Sequence, residues 1–124
     1  MRIDWHAIPG GPGMRQGSSR RAIAAERLSA VRVETTPDAV FDGKLHRHDN
    51  EQLLVMIDGS VHLQIDDEDL WVKAGDLVVF PPGSWHGAIG VGPDGAEYYE
   101  IFSPPRLDQL PGWVGPSALE FDRS

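Results

Sequence analysis

The segment from residue 45 to residue 52 carries two histidines separated by one residue and reads Leu45-His46-Arg47-His48-Asp49-Asn50-Glu51-Gln52. On an extended strand, side chains two residues apart project from the same face, so the rings of His46 and His48 are expected on one side. Gln52 shares their parity, whereas Glu51 has the opposite parity and points away unless the strand bulges. The segment therefore predicts a strand that presents two imidazoles and an amide oxygen to one place.

A third histidine, His86, follows the turn-forming residues Pro81-Pro82-Gly83-Ser84-Trp85. A strand that leaves such a turn can run antiparallel to the first one and bring a third imidazole to the same point. Three imidazole nitrogens and an amide oxygen suit one divalent transition metal ion, with nickel, zinc, manganese, iron and cobalt all compatible. The predicted metal ligands are therefore His46, His48, Gln52 and His86.

The rest of the chain is typical of an all-β protein. Fourteen glycines and ten prolines are spread between short β-branched stretches, a pattern of many strands joined by tight turns. Val61, Leu63 and Ile65 alternate with polar residues, as in a strand with one buried face. Residues 53–57 are apolar throughout and predict a strand buried on both faces. Residues 20–30 are ambiguous between helix and strand, and we interpret them as strand.

A length of 124 residues fits one domain. The glycine- and proline-rich residues 1–19 are not expected to sustain a helix or a strand and predict a flexible N-terminal arm. Residues 20–110 are assigned to the barrel. Residues 111–124 are expected to form a C-terminal tail that packs on or near it.

Composition excludes several classes of function. The 11 basic and 19 acidic residues give a net charge of −8, which disfavours nucleic acid as a partner. The basic cluster of Arg15, Arg20 and Arg21 is interpreted as a solvated arm. Because the chain has no cysteine, disulfides, thiolate metal sites and cysteine nucleophiles are excluded. We expect a soluble, cytoplasmic protein without a membrane partner, since no apolar run is long enough to cross a bilayer and the start lacks a secretory pattern.

The two histidine-containing segments resemble the two sequence motifs of the cupin family. The matching residues are Gly43, His46, His48, Gln52 and Gly59 for the first motif, and Gly75, Pro81, Gly83 and His86 for the second. The position of Gln52 is usually a glutamate in cupins, although some small cupins coordinate metal through a glutamine there. The resemblance covers roughly residues 20–110. It implies an all-β, double-stranded β-helix (jelly-roll) barrel with the metal at its open end.

The segment from residue 97 to residue 106 is similar to the tail of the small cupins of uronate breakdown, which convert cyclic 4,5-unsaturated monouronates from pectin or alginate to linear keto forms. In those enzymes an aspartate, a phenylalanine and an arginine occupy the positions of Glu100, Phe102 and Arg106. The resemblance implies that Glu100 moves a proton, Arg106 helps to hold the substrate and Phe102 lines the pocket. The alternative is a surface ion pair of Glu100 with Arg106 and a core Phe102. Asp108 and Gln109 are expected to face solvent.

The resemblance implies a metal-dependent enzyme of isomerase or lyase type that acts on a small carbohydrate-derived or keto acid. One alternative is a non-haem iron dioxygenase, because three histidines with open coordination positions can bind a chelating substrate and oxygen together. Another alternative is a non-catalytic cupin that binds a small ligand. The resemblance also implies a homodimer in which the strand near residues 20–25 pairs with the neighbouring subunit. His6 and His62 are assigned no function.

Overall fold

The structure is a computed structural model that describes residues 1–122, and these residues are built almost wholly from β-strands. The strands are β1 (Gly11–Pro12), β2 (Ser18–Ala24), β3 (Ser29–Thr35), β4 (His46–Arg47), β5 (Glu51–Ile65), β6 (Glu68–Lys73), β7 (Leu77–Phe80), β8 (His86–Ser103) and β9 (Glu120–Phe121). Short 3₁₀ helices span Trp5–Ala7 and Leu107–Gln109. Within residues 1–122, no helix has the length and apolar character needed to cross a membrane. Residues 123 and 124, the end of the predicted tail, lie outside the described residues.

The two long strands β5 and β8 organise the sheet. They pair antiparallel along most of their length, and shifts of register near Met56, Gly59 and His62 bend the pair. β5 also pairs with β6 and β7, while β8 also pairs with β3 and β4. β2 and β1 continue the sheet beyond β3, and β9 continues it beyond β4. The sheet curls into a barrel, which confirms the predicted all-β, jelly-roll fold.

The hydrophobic core fills the inside of the barrel. In the second half of β5, Val61, Leu63 and Ile65 are buried, as their alternation with polar residues predicts. They belong to the same cluster as Phe80 and Phe102, two aromatic side chains that are almost fully buried. These two rings also contact histidines of the candidate site. The hydrophobic core therefore packs directly against the histidines of the site.

The first half of β5 corrects one prediction. Leu54 and Met56 are buried, but Ile57 is exposed, and Leu53 and Val55 are only half-buried. The prediction that this segment is buried on both faces is wrong, because a sheet that curls into one barrel buries only its inner face. An apolar run is therefore compatible with a strand whose outer face remains uncovered in the single chain.

The N-terminal segment is more regular than expected. The prediction that residues 1–19 contain no helix or strand is wrong, because β1 pairs with the start of β2, which begins at Ser18. The amide of Gly13 donates to the carbonyl of Ser18 at 2.8 Å and closes the turn between these strands. The flexibility of the arm and the division into residues 1–19, 20–110 and 111–124 stay predictions.

Both ends of the ambiguous segment from residue 20 to residue 30 form β-strands. β2 ends at Ala24 and β3 begins at Ser29, so the predicted strand is interrupted by a turn. The amide of Ala25 donates to the carbonyl of Leu28 at 2.8 Å across this turn. The segment is therefore a β-hairpin corner, and no helix forms there.

Candidate metal centre

Strand pairing brings the predicted ligands together at one end of the barrel. His46 in β4 lies opposite His86, the first residue of β8. Gln52 in β5 lies between Phe80 of β7 and Phe102 of β8. The antiparallel pairing therefore brings two motifs that are distant in the sequence next to each other.

The turn before β8 also positions His48. The amide of Gly83 donates to the carbonyl of His48 at 2.9 Å, so the second motif is tied directly to the backbone of the first. The side chains of His46, His48, His86 and Gln52 are all buried. Glu51, next to Gln52, is exposed, as the opposite parity predicts for a residue that points away from the histidines.

The three histidines form a compact cluster. One ring nitrogen from each lies within 4.8 Å of the others, a spacing that allows a shared metal ion. The centroid of the His86 ring is 4.7 Å from that of His46 and 4.9 Å from that of His48. Burial, aided by repulsion from the neighbouring imidazoles, lowers the pKa of His46 to about 3 and that of His86 to about 4. Both rings are therefore neutral near pH 7, the form that binds a metal.

His86 offers an unpartnered nitrogen to this cluster. Its Nδ1 donates to the carbonyl oxygen of Ser84 at 3.0 Å, which leaves the lone pair on Nε2. That Nε2 is buried and has no hydrogen-bond partner among residues 1–122. A buried nitrogen without a partner lowers stability, and coordination of a metal ion would satisfy it.

The contacts of the His48 ring are also unfavourable without a cation, because one lone pair of the ring faces an oxygen atom. The amide of Gln52 is oriented by Glu100, because its Nε2 donates to Oε2 of Glu100 at 2.6 Å. Its Oε1 therefore faces Nε2 of His48 at 3.0 Å, while Nδ1 of the same ring lies 3.0 Å from the carbonyl oxygen of Asn50. Either neutral tautomer of His48 points one lone pair at an oxygen atom. The donor set of three imidazoles and one amide oxygen thus fits a divalent metal ion.

Glu100 is the acidic group of the site. Burial raises the pKa of its carboxyl group, against the opposing effects of the Arg106 charge and of the hydrogen bond from Gln52. A carboxyl group with a raised pKa retains its proton closer to neutral pH than an exposed glutamate does. Glu100 is therefore suited to exchanging a proton with a bound molecule.

Arg106 is buried and pairs with Asp108, not with Glu100. Its Nη2 lies 2.9 Å from Oδ2 of Asp108, and its Nε donates to Oδ1 at 3.2 Å. Its guanidinium carbon lies 4.9 Å from the centroid of the Phe102 ring. The alternative of a surface ion pair between Glu100 and Arg106 is thus not what the structure contains, although Phe102 does belong to the core.

Asp108 and Gln109 correct a further expectation. They do not face solvent: Gln109 is buried, and only 9% of the Asp108 side chain is exposed. Asp108 also accepts a hydrogen bond from the amide of Ala118 at 3.0 Å, which ties the C-terminal tail to this turn. The sequence pattern missed these contacts because they depend on where the tail returns to the barrel.

One pocket connects these groups. It is lined by the cluster histidines His46 and His86, by Gln52, Glu100 and Arg106, and by two further arginines, Arg15 and Arg20. The prediction that Arg15 and Arg20 belong to a solvated arm is wrong, because both residues line this pocket. Parity along β2 was the available signal, since Arg20 alternates with the buried Ala22.

Comparison with known proteins agrees with this architecture. Residues 32–102 match the model of the cupin domain family. The structure resembles an RmlC-like cupin from Shewanella frigidimarina NCIMB 400, with a TM-score of 0.74 and 26% identity, over 87% of this chain and 94% of that one. It also resembles KdgF from Halomonas sp., with a TM-score of 0.72 and 27% identity, over 85% of this chain and 94% of that one.

Two similar proteins are longer than this chain. Oxalate decarboxylase from Bacillus subtilis gives a TM-score of 0.69 and 26% identity, over 82% of this chain and 28% of that one. Acireductone dioxygenase 1 from Physcomitrium patens is 44% identical, over 44% of this chain and 34% of that protein. The chain therefore spans about a third of the length of this curated relative. Since the family model covers more than half of the chain and the fold agrees with it, the chain belongs to the cupin family.

Proposed function

We propose that this chain is a metal-dependent enzyme that acts on a small carbohydrate-derived or keto acid by proton transfer or ring opening. One divalent transition metal ion is held by His46, His48, Gln52 and His86. The observation that carries the proposal is the hydrogen bond from Gln52 to Glu100, because it links a half-buried acid to one of the proposed metal ligands. The resemblance of Glu100, Phe102 and Arg106 to the uronate-linearising small cupins supports the same chemistry.

Each group of the site has a separate chemical role. When bound, a divalent metal ion polarises a substrate oxygen and stabilises negative charge that develops on it. Glu100 exchanges a proton with the neighbouring carbon, and Arg106 supplies a fixed positive charge for a substrate carboxylate. The Asp108 pair holds this guanidinium in place, and the Phe102 ring beside it keeps water away from the reacting carbon.

Linearising an unsaturated monouronate needs only a proton transfer. The bond between the ring oxygen and the anomeric carbon breaks, the anomeric hydroxyl loses a proton, and a carbon of the former double bond gains one. The product is an isomer of the substrate, so no oxidant or reductant takes part. One acid that exchanges protons, one metal ion and one arginine are sufficient for this reaction.

The test is the substitution Glu100→Gln, which keeps the shape of the side chain but removes its ionisable proton. Turnover of a 4,5-unsaturated monouronate is expected to fall by about a hundredfold or more, the usual contribution of a general acid or base. Metal content is expected to stay equal to that of the wild type. Glu51→Gln, a matched change at the exposed neighbouring position, should alter neither quantity. Unchanged turnover in Glu100→Gln would refute the catalytic assignment.

A non-haem iron dioxygenase is the second candidate. It is favoured by the 44% identity with acireductone dioxygenase 1 over part of the chain. Three histidines leave coordination positions open for a chelating substrate and oxygen. Substrate-dependent oxygen uptake by the iron-loaded protein would select this candidate, whereas binding of acids without turnover under any metal would indicate a non-catalytic cupin.

We also propose that the chain forms a homodimer through the outer face of the sheet next to β2. An apolar row crosses the outer face from β7 to β2, strand by strand in register: Val79, Leu53, Ile101, Ala30 and Ile23. β1 covers only the first residues of β2, so the backbone of its second half is paired on one side only. An exposed apolar patch that reaches an open strand edge is suited to self-association.

A further inference from the structure

Two arginines of the pocket, Arg15 and Arg20, have no role in the chemistry described above. Arg20 lies opposite Val33 in β3, and Val33 lies opposite Tyr98 in β8. Val33 and Tyr98 are both buried in the core, so Arg20 belongs to the row of residues that faces the inside of the barrel. Arg21, the next residue of β2, has the opposite parity, and its Nε donates to the carbonyl of Ile8 at 3.1 Å.

The arginines at this pocket are unequally paired. Arg106 is held by Asp108. Within residues 1–122, by contrast, no carboxylate lies within ion-pairing distance of Arg20. Arg15, with its guanidinium carbon 4.4 Å from the centroid of the Phe41 ring, lines the same pocket. Three cationic side chains and one acid, Glu100, therefore line this pocket, while Asp108 lines a second pocket together with Arg20 and Arg106.

This concentration of positive charge runs against the rest of the chain, whose net charge is −8. Arg20 is half-buried, and its burial together with the nearby charge of Arg106 lowers the pKa of its guanidinium group. Glu100 and Asp108 offset part of the repulsion between Arg20 and Arg106, and an anionic group bound between the two guanidinium groups would offset more of it.

We propose, on the basis of the proton transfer proposed above, that the pocket also takes a small dicarboxylic acid of carbohydrate type, which has no anomeric carbon and reacts without ring opening. One end of this ligand reaches the histidine cluster, and the carboxylate at its other end is held by Arg20 together with Arg106. Arg15 adds a third positive charge to the same side. The two ends of the pocket thus recognise the two ends of one short molecule, and Arg20 determines specificity.

Binding of a matched pair of sugar acids tests this inference. Galactonate carries one carboxylate on an open six-carbon chain, and galactarate carries the same chain with a carboxylate at both ends. Titration calorimetry on the zinc-loaded protein is expected to show that galactarate binds about tenfold more tightly. In Arg20→Gln the preference should fall to less than about twofold, while the zinc content stays unchanged. Arg21→Gln, the matched change on the other face of β2, should keep the preference.

Several outcomes would overturn the inference. Equal binding of the two acids by the wild type would do so, as would a preference that survives in Arg20→Gln. Galacturonate 1-phosphate carries a phosphate in place of the second carboxylate, and tighter binding of this compound would replace the dicarboxylate by a phosphorylated acid. If Arg20→Gln does not fold, Arg20→Lys keeps the charge without the planar fork and should retain only part of the preference.

The result is separable from that of the proposed function. A preference for galactarate that depends on Arg20, with no turnover of any acid, would support the second carboxylate site and refute the enzyme. Turnover of a monouronate without any preference for galactarate would support the enzyme and refute the second carboxylate site.

Discussion

Gln52 connects the two halves of the site through one amide group. Its oxygen faces the ring of His48, and its nitrogen donates to Glu100. A glutamate at this position would place two carboxyl groups within hydrogen-bonding distance of each other, and one of them would have to stay protonated. The glutamine instead offers a neutral oxygen atom, so Glu100 does not share its proton with a second carboxyl group at this position.

The substitution Gln52→Leu tests whether this residue is a ligand. It removes the oxygen but keeps an apolar volume, so metal affinity is expected to fall by about ten- to a hundredfold. Competition with a chromophoric chelator measures the change. Glu51→Gln serves as control and should leave affinity at the wild-type value. Equal affinities of wild type and Gln52→Leu would remove Gln52 from the coordination shell.

The histidine cluster makes the metal-free protein sensitive to acid. Burial holds the pKa of His46 near 3 and that of His86 near 4, below the ordinary value of 6.5. The unfolded chain therefore binds more protons than the folded chain as the pH falls below about 6.5. The free energy of unfolding is therefore highest above that pH, and it decreases as the pH falls towards the folded-state pKa values. Between pH 7 and pH 5 the free energy of unfolding should drop by roughly 2 kcal/mol per histidine.

Urea unfolding at both pH values, in the presence of a chelator, measures this dependence. His86→Gln removes one of the two groups and should show a smaller drop than the wild type. An identical drop in both proteins would mean that His86 does not contribute to the acid sensitivity.

At the scale of the elements, periodicity predicted which residues of a strand share a face but not what covers that face. The alternation at Val61, Leu63 and Ile65 correctly identified an inner face. The continuous apolar segment over residues 53–57 was misassigned, because an uncovered outer face gives the same sequence pattern as a buried one. Arg20 was missed for a related reason. The glycine-rich segment before it suggested an irregular arm, so Arg20 was grouped with that arm and its inward direction was not read from its alternation with Ala22.

The outer apolar row is the element-scale feature that tests assembly. Val79 is 51% exposed, and with its in-register neighbours it leaves an apolar strip open to solvent in the single chain. We expect a dimer by light scattering. Val79→Lys should shift the protein towards monomer, because it buries an unpaired charge in the interface. Val114→Lys, at a 93% exposed position away from this row, is the matched control. A monomeric wild type would contradict the proposed homodimer.

At the scale of the whole molecule, the fold brings together residues that the sequence keeps far apart. Parity and motif spacing predicted that His46, His48 and His86 meet, although only His46 and His86 lie in strands and His48 directly follows the short strand β4. The partner of Arg106 and the burial of Gln109 were not predictable, since both depend on the 3₁₀ helix Leu107–Gln109 and on the C-terminal tail that packs against it. Long-range packing of irregular segments leaves no period in the sequence.

The metal content of protein purified without added metal or chelator tests the central claim most directly. One equivalent of nickel, zinc, manganese or cobalt per chain, together with turnover of an unsaturated monouronate, is the result that we predict. One equivalent of iron with substrate-dependent oxygen uptake would favour the dioxygenase. Protein that contains no metal, and that binds none when each of these ions is added, would contradict the metal centre.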